Sequence, residues 1–299
     1  MDNQFRQERS SVWDAHVHCY PEEVIADPSS WAREMGEQHW LELVTNGPQG
    51  WAGPDDFIRQ MDEDGIEKVL LQAWYWENPQ TAHLQNEWHA EWLKRYPDRF
   101  MACACIHPDM EEPVRELESA RDWGAVGVGE CLPQVQCREG WAHPHWDTII
   151  EWTTSAGWPI CLHVTEQAGH DYPGKVDTPL NELLHLFGKH PQQKWLCAHW
   201  GGGLPYYALN AKVRKLLANV WFDSAAGPLL YDARIWRSVV DLVGPDKVVF
   251  GSDFPLLIYP GKDKQPGWRR FLDELQDSGL DAGERAAVSV ANLAGLLPD

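Results

Sequence analysis

Two histidines stand two residues apart, His16 and His18, in the run Trp13-Asp14-Ala15-His16-Val17-His18. In a β-strand, residues i and i+2 point to the same face, so both imidazoles can meet one metal ion from a single element. Four more groups of metal-binding type follow in order: Glu130, His163, His199 and Asp253. Each ends or follows an apolar run: Val126-Gly127-Val128-Gly129-Glu130, Ile160-Cys161-Leu162-His163, Trp195-Leu196-Cys197-Ala198-His199 and Val248-Val249-Phe250-Gly251-Ser252-Asp253. Imidazole or carboxylate in such a setting has to be paired or coordinated, because burial of an isolated polar group is costly. The mixture suits Zn²⁺, Mn²⁺ or Fe²⁺ and leaves open positions for water. Taken singly, each group has a plain packing role: a core histidine held by a hydrogen bond, a glutamate paired to a base, an aspartate capping a loop. Such residues ending five separate strand-like runs are not explained by packing. His143-Pro144-His145 repeats the spacing but reads as a loop and a helix start, and is set aside.

The elements that must position these groups are legible as an alternation. Apolar, β-branched runs predict eight strands, at 12–18, 66–74, 100–106, 125–130, 159–164, 194–199, 220–224 and 247–252. Amphipathic stretches between them predict helices at 87–96, 112–123, 146–156, 178–190, 205–218 and 232–243. Gly and Pro stops close the junctions at Asp64-Gly65, Tyr96-Pro97, Trp123-Gly124, Ala156-Gly157, His190-Pro191 and Val243-Gly244-Pro245. Strands alternating with helices indicate parallel βαβ units. A doubly wound open sheet is the rival, but a glycine fingerprint is expected after its first strand, and His16-Val17-His18-Cys19-Tyr20 stands there instead. The expected fold is therefore a (β/α)8 TIM barrel, whose sites form at the C-terminal ends of the strands. Residues 21–54, rich in Trp, Pro and Gly with a helical stretch near 31–44, read as an insertion after strand one, over the barrel mouth. Extra helices are expected near 267–278 and 282–296, after a loop at 255–266.

Composition narrows the function classes. At 299 residues, with 43% apolar content and no linker-like tract, the chain 1–299 reads as a single domain. There are 45 Asp and Glu against 25 Lys and Arg, a formal net charge of −20, which argues against nucleic acid or an anionic membrane as partner. Seven cysteines without a CxxC pair suit buried thiols in a reducing compartment. A polar start (Met1 to Ser10) and the lack of a long apolar run lead to the expectation of a cytoplasmic protein. Of the 18 tryptophans most are expected in cores, but Trp74, Tyr75 and Trp76 cluster just after a predicted strand. Trp74 and Trp76 are taken there as substrate contacts for a partly apolar or ring-containing small molecule. A homodimer is expected on symmetry base rates alone.

The chain resembles the amidohydrolase superfamily, most closely its amidohydrolase-related branch, which includes enzymes like aminocarboxymuconate semialdehyde decarboxylase. The resemblance rests on Asp14-Ala15-His16-Val17-His18, Tyr96-Pro97-Asp98-Arg99-Phe100, Ala198-His199-Trp200-Gly201-Gly202-Gly203 and Phe250-Gly251-Ser252-Asp253-Phe254-Pro255. It implies metal ligands at His16, His18, His163 and Asp253, with His199 beside the metal to polarise substrate or orient water. It also implies that Asp253 doubles as proton acceptor and later proton donor. Zinc is the first choice of ion, with manganese or iron as alternatives; one ion is expected, and Glu130, on the strand where many relatives carry a bridging lysine, leaves a second open. Water on such an ion ionises near neutral pH, so the first reading is a metal-dependent hydrolase of an ester, lactone or amide-like bond. Phosphotriesters and nucleic acids fit such a hydrolase less well, given the acidic chain. The second reading is a non-oxidative decarboxylase of an aromatic or muconate-like acid. That reading wants a basic residue for a substrate carboxylate; none ends a strand, and Arg138, Lys175, Lys262 and Lys264 lie in loops where solvation explains them. A non-catalytic metal-binding barrel comes third.

Overall fold

The computed structural model describes residues 11–258 and 265–298. Eight strands form one sheet in the order β1 to β8: Trp13–Val17, Lys68–Leu71, Phe100–Ala104, Gly127–Cys131, Ile160–Leu162, Trp195–Cys197, Val220–Asp223 and Val248–Val249. Every neighbouring pair is parallel. The ring closes between β8 and β1 through Ala15 N–H to Phe250 O (2.8 Å), Asp253 N–H to His16 O (2.8 Å) and His18 N–H to Phe254 O (2.7 Å). The eight strands and the barrel are those expected from the apolar runs.

Small and medium side chains fill the barrel interior, among them Ala15, Leu70, Cys103, Cys161, Leu196 and Val249, with Leu293 and Leu296 of the last helix packed against them. Larger aromatics pack between sheet and helices. All seven cysteines are buried free thiols. Among the described residues no helix is long and apolar enough to cross a membrane.

Two strands break the alternation of their side chains, and both breaks fall at candidate ligands. Ala15 belongs to the interior cluster and Val17 to the outer one, as strict alternation would not allow. The β1–β2 register shifts between Asp14 and Val17, which lets Ala15 and His16 both face inward and leaves Asp14 outside. The β4–β5 register shifts between Val128 and Cys131. Both of those residues pack on the outer cluster, and Glu130 between them turns to the interior. Such irregularities re-aim a side chain beside a site.

Two elements differ from the sequence expectation. The insertion holds three short helices, Glu22–Ala26, Pro28–Met35 and Gln38–Asn46, where one modest helix near 31–44 was expected. The helix expected over 205–218 is only Ala211–Leu216, capped by the Asn210 side chain. Before it, His199 to Gly203 run left-handed, with φ between 56° and 89°, and irregular 3-10 turns continue to Leu209. The glycines there are required: a Cβ on Gly201 would lie 2.7 Å from the Phe222 ring, and one on Gly202 would lie 2.3 Å from Thr165 O.

Candidate metal centre

The six strand-end groups meet in one place. His16 and His18 bring their Nε2 atoms 3.3 Å apart. Asp253, just past β8, sets Oδ1 3.3 Å from His18 Nε2 and 3.8 Å from His16 Nε2. Glu130 sets Oε2 3.6 Å from His16 Nε2 and 3.8 Å from His18 Nε2. Its other oxygen, Oε1, faces away, 2.8 Å from His163 Nδ1 and 3.3 Å from His199 Nε2. Those two imidazole nitrogens are 3.2 Å apart. The donors thus fall into two groups that share one carboxylate: His16, His18 and Asp253 on one side of Glu130, His163 and His199 on the other.

The chemistry of this donor set fits a cation. His16 Nδ1 lies 2.9 Å from Asp223 Oδ2, so the proton of the neutral ring sits on Nδ1 and Nε2 offers a lone pair to the cluster. That lone pair faces two carboxylate oxygens and the His18 nitrogen within 3.8 Å. Acceptors facing acceptors in a buried site need positive charge between them, supplied by protons or by a metal. Where only protons are present, they take that place. Burial alone pushes the His16 imidazole down, yet Asp223 and Glu130 outweigh it and hold it well above its ordinary value. Burial likewise opposes His199, but its hydrogen bond to Glu130 and the charge there raise it to about 9. Glu130 is pushed up by burial and held well below the usual carboxylate range by His163 and His16. Asp253 is lowered as well, against its burial, by the His18 hydrogen bond and the charges of His16 and His199.

Two functional carboxylates escape a reading by residue type. Asp223 ends the β7 run Val220-Trp221-Phe222-Asp223 as the other groups end theirs, a signal that was there to be used. Asp14, turned outside the barrel, accepts four hydrogen bonds: from the N–H of His16 (2.9 Å) and Ser252 (3.1 Å), the Ser252 hydroxyl (2.5 Å) and the Trp268 indole (2.5 Å). It joins the ligand-bearing ends of β1 and β8. Cys161 Sγ also lies near His16 and Asp223. Burial pushes that thiol well above its ordinary value, so it stays protonated and packs.

Above the donors opens a cavity of about 220 Å³, with His18, His163, His199, Glu130 and Asp253 at its floor. Its walls are largely apolar and include Leu43, Tyr172, Leu229 and Leu256. Trp74 lines it, stacked on Tyr75 at 4.2 Å and 28°. Tyr75 sits with its ring centre 5.0 Å from that of His163, and among the described residues its hydroxyl has no hydrogen-bond partner. Trp76 does not reach the cavity, which corrects its assignment as a substrate contact. Its ring is fully buried between Trp31 and Trp40 of the insertion helices, and its indole donates to Gln85 Oε1 (2.5 Å). The chain after β2 is irregular, and Gln85 Oε1 also takes the Trp74 N–H (2.9 Å); the insertion then covers Trp76 from above. Among the described residues no Arg or Lys lines the cavity. Lys175 is held by Glu166 Oε1 (3.3 Å) and His170 O (3.2 Å), Arg138 lies on a different depression, and Lys262 and Lys264 fall outside the described residues.

Known proteins share this fold. The chain is 23% identical over 300 residues to 2-amino-3-carboxymuconate-6-semialdehyde decarboxylase of Dictyostelium discoideum, covering 85% of this chain and 76% of that one. It is 22% identical over 292 residues to 4-sulfomuconolactone hydrolase of Hydrogenophaga intermedia, covering 92% and 90%. Its fold matches a crystal structure of 5-carboxyvanillate decarboxylase from Novosphingobium aromaticivorans, complexed with manganese and 4-hydroxy-3-methoxy-5-nitrobenzoic acid. That match has a TM-score of 0.72 at 16% identity and covers 97% of this chain and 96% of the other. A family model described as amidohydrolase matches residues 13–297. With the barrel, the donor set and this match in hand, the chain belongs to the amidohydrolase family.

Proposed function

We propose that the protein is a metal-dependent hydrolase: water attacks the carbonyl carbon of an ester, lactone or amide-like bond in a small, ring-containing molecule, and the bond from that carbon to the leaving oxygen or nitrogen breaks. The observation that carries this reading is the placing of Asp253 and His199 together on one cavity floor. Asp253 is held ionised and its side chain, 15% exposed, opens to the cavity. It can take a proton from attacking water and return it to the leaving group. His199, raised to about 9 by Glu130 in the ion-free cluster, stands where its Nε2, when the ring carries both protons, can donate to charge developing on the carbonyl oxygen. Its Nδ1 is occupied by Ala225 O at 3.2 Å, which aims Nε2 at the floor. His16, His18 and Asp253, with Glu130 or His163 completing the set, would hold a divalent ion, zinc first and manganese next. Such an ion supplies Lewis acidity and a more acidic water. Trp74 and Tyr75 wall the substrate ring. We propose a cytoplasmic homodimer with a small-molecule substrate, and no role in nucleic acid or membrane binding.

The second reading, a non-oxidative decarboxylase, is favoured by the names of two of the similar proteins. The two readings separate in ¹⁸O-labelled water. Zinc- or manganese-loaded protein is offered aromatic esters, lactones and hydroxybenzoates. Label in the organic product supports hydrolysis; carbon dioxide released beside an organic product without label supports the lyase; neither product with any of the panel, from protein that carries metal, overturns the first reading. Metal content is measured beside a Glu130→Gln variant: two ions falling to one would make Glu130 a bridge, and one ion unchanged would make the centre mononuclear.

A further inference from the structure

Both halves of the centre hang on one carboxylate. Asp223 Oδ2 lies 2.9 Å from His16 Nδ1, and Oδ1 accepts the backbone N–H of His199 and of Ala225, each at 3.0 Å. The side chain is fully buried. His199 is the first residue of the left-handed turn, with φ of 56°, a conformation costly for a residue with a Cβ. We infer that Asp223 is the positioning residue of the centre. One oxygen fixes the proton of His16 on Nδ1, which presents Nε2 as a metal donor, and the other pins the strained backbone from which His199 enters the cavity. A carboxylate behind a ligating imidazole sets its tautomer and its basicity. Here the same carboxylate also sets the place of the acid–base imidazole.

This inference rests on reading the cluster as a metal centre, and Asp223→Asn separates the two. The amide oxygen of asparagine can keep the bonds to His199 and Ala225. Its NH₂ then faces His16 Nδ1, which has to accept, and the ring proton moves to Nε2, where it blocks the donor. Affinity for Zn²⁺ and Mn²⁺, measured by chelator competition, is expected to fall about 10- to 100-fold, with the near-ultraviolet circular dichroism of the wild type retained. Ser224→Ala, which removes the neighbouring hydroxyl's bond to Gly251 O and the one it accepts from Gly251 N–H, is the control: it lowers the melting temperature and leaves metal affinity unchanged. Wild-type affinity in Asp223→Asn overturns the inference alone. A wild-type chain that takes up neither ion overturns the metal-centre reading and the inference with it. If Asp223→Asn does not fold, ¹⁵N spectra of the ¹¹³Cd-loaded wild type decide. Cadmium coupling to His16 Nε2 with a protonated Nδ1 supports the assignment, and coupling to Nδ1 overturns it.

Discussion

Trp74 and Trp76, two residues apart, touch different things. Trp74 stacks on Tyr75 and stands edge-on to His18 at 5.5 Å between ring centres, with one side on the cavity. Trp76 is locked among Trp31, Trp40 and Gln85. Replacing Trp74 with Ala is therefore expected to raise KM with a smaller loss of stability. Trp76→Ala is expected to cost about 3–5 kcal/mol of folding free energy, the range for truncating a buried aromatic, with KM near wild type in what folds. Denaturant midpoints and steady-state kinetics on the two variants check this, and an equal KM effect would put Trp76 back in the site. At this scale the cluster is legible because His, Glu and Asp at the ends of apolar runs are rare enough to stand out. The wall was only half legible. A tryptophan looks the same in sequence whether a cavity or an insertion helix lies over it.

The strands and their order follow from runs of β-branched residues closed by Gly and Pro, so all eight could be read from composition along the chain. What could not be read is register. The shifts in β1 and β4 add no unusual residue type, yet they decide that His16 and Glu130 face inward. The left-handed turn at His199–Gly203 was hidden for a related reason. Trp200 takes a positive φ without being glycine, and what excludes a side chain at Gly201 and Gly202 is their tertiary approach to Phe222 and Thr165. Between elements, Asp14 is the link that matters most, since it receives donors from β1, from the end of β8 and from Trp268. Burial raises it to about 6, against the pull of its hydrogen bonds. Asp14→Asn turns an NH₂ group toward buried donors, and each donor left unsatisfied costs about 1–3 kcal/mol. The variant is expected to melt at a lower temperature and to hold metal more weakly, because the spacing of His16 and Asp253 is set by the same seam. Thermal denaturation and chelator competition test both; an unchanged melting temperature would remove Asp14 from this role.

For the molecule as a whole, metal and protons compete for one set of groups, so stability depends on both. In chelator-treated protein the raised imidazole of His199 stabilises the fold fully below its ordinary value of 6.5, and this contribution is lost as pH rises through about 9. The lowered carboxylates Glu130 and Asp253 act in the opposite sense, losing their contribution as acid protonates them. The ion-free protein is thus expected to lose melting temperature between pH 6.5 and about 9, whereas the metal-loaded protein keeps it. Metal uptake at pH 7 is expected to release protons, because imidazoles must give them up to become donors. Calorimetry in buffers of different ionisation enthalpy measures that release, and a value of zero would mean that the rings are already neutral. The seam at Asp14 also sets a schedule for biosynthesis. Its partners Ser252 and Trp268 stand 238 and 254 residues later in the chain, so the histidines of β1 emerge from the ribosome first and wait for nearly the whole polypeptide. The seam therefore cannot close, nor the spacing of His16 and Asp253 be set, before the chain through Trp268 has been made.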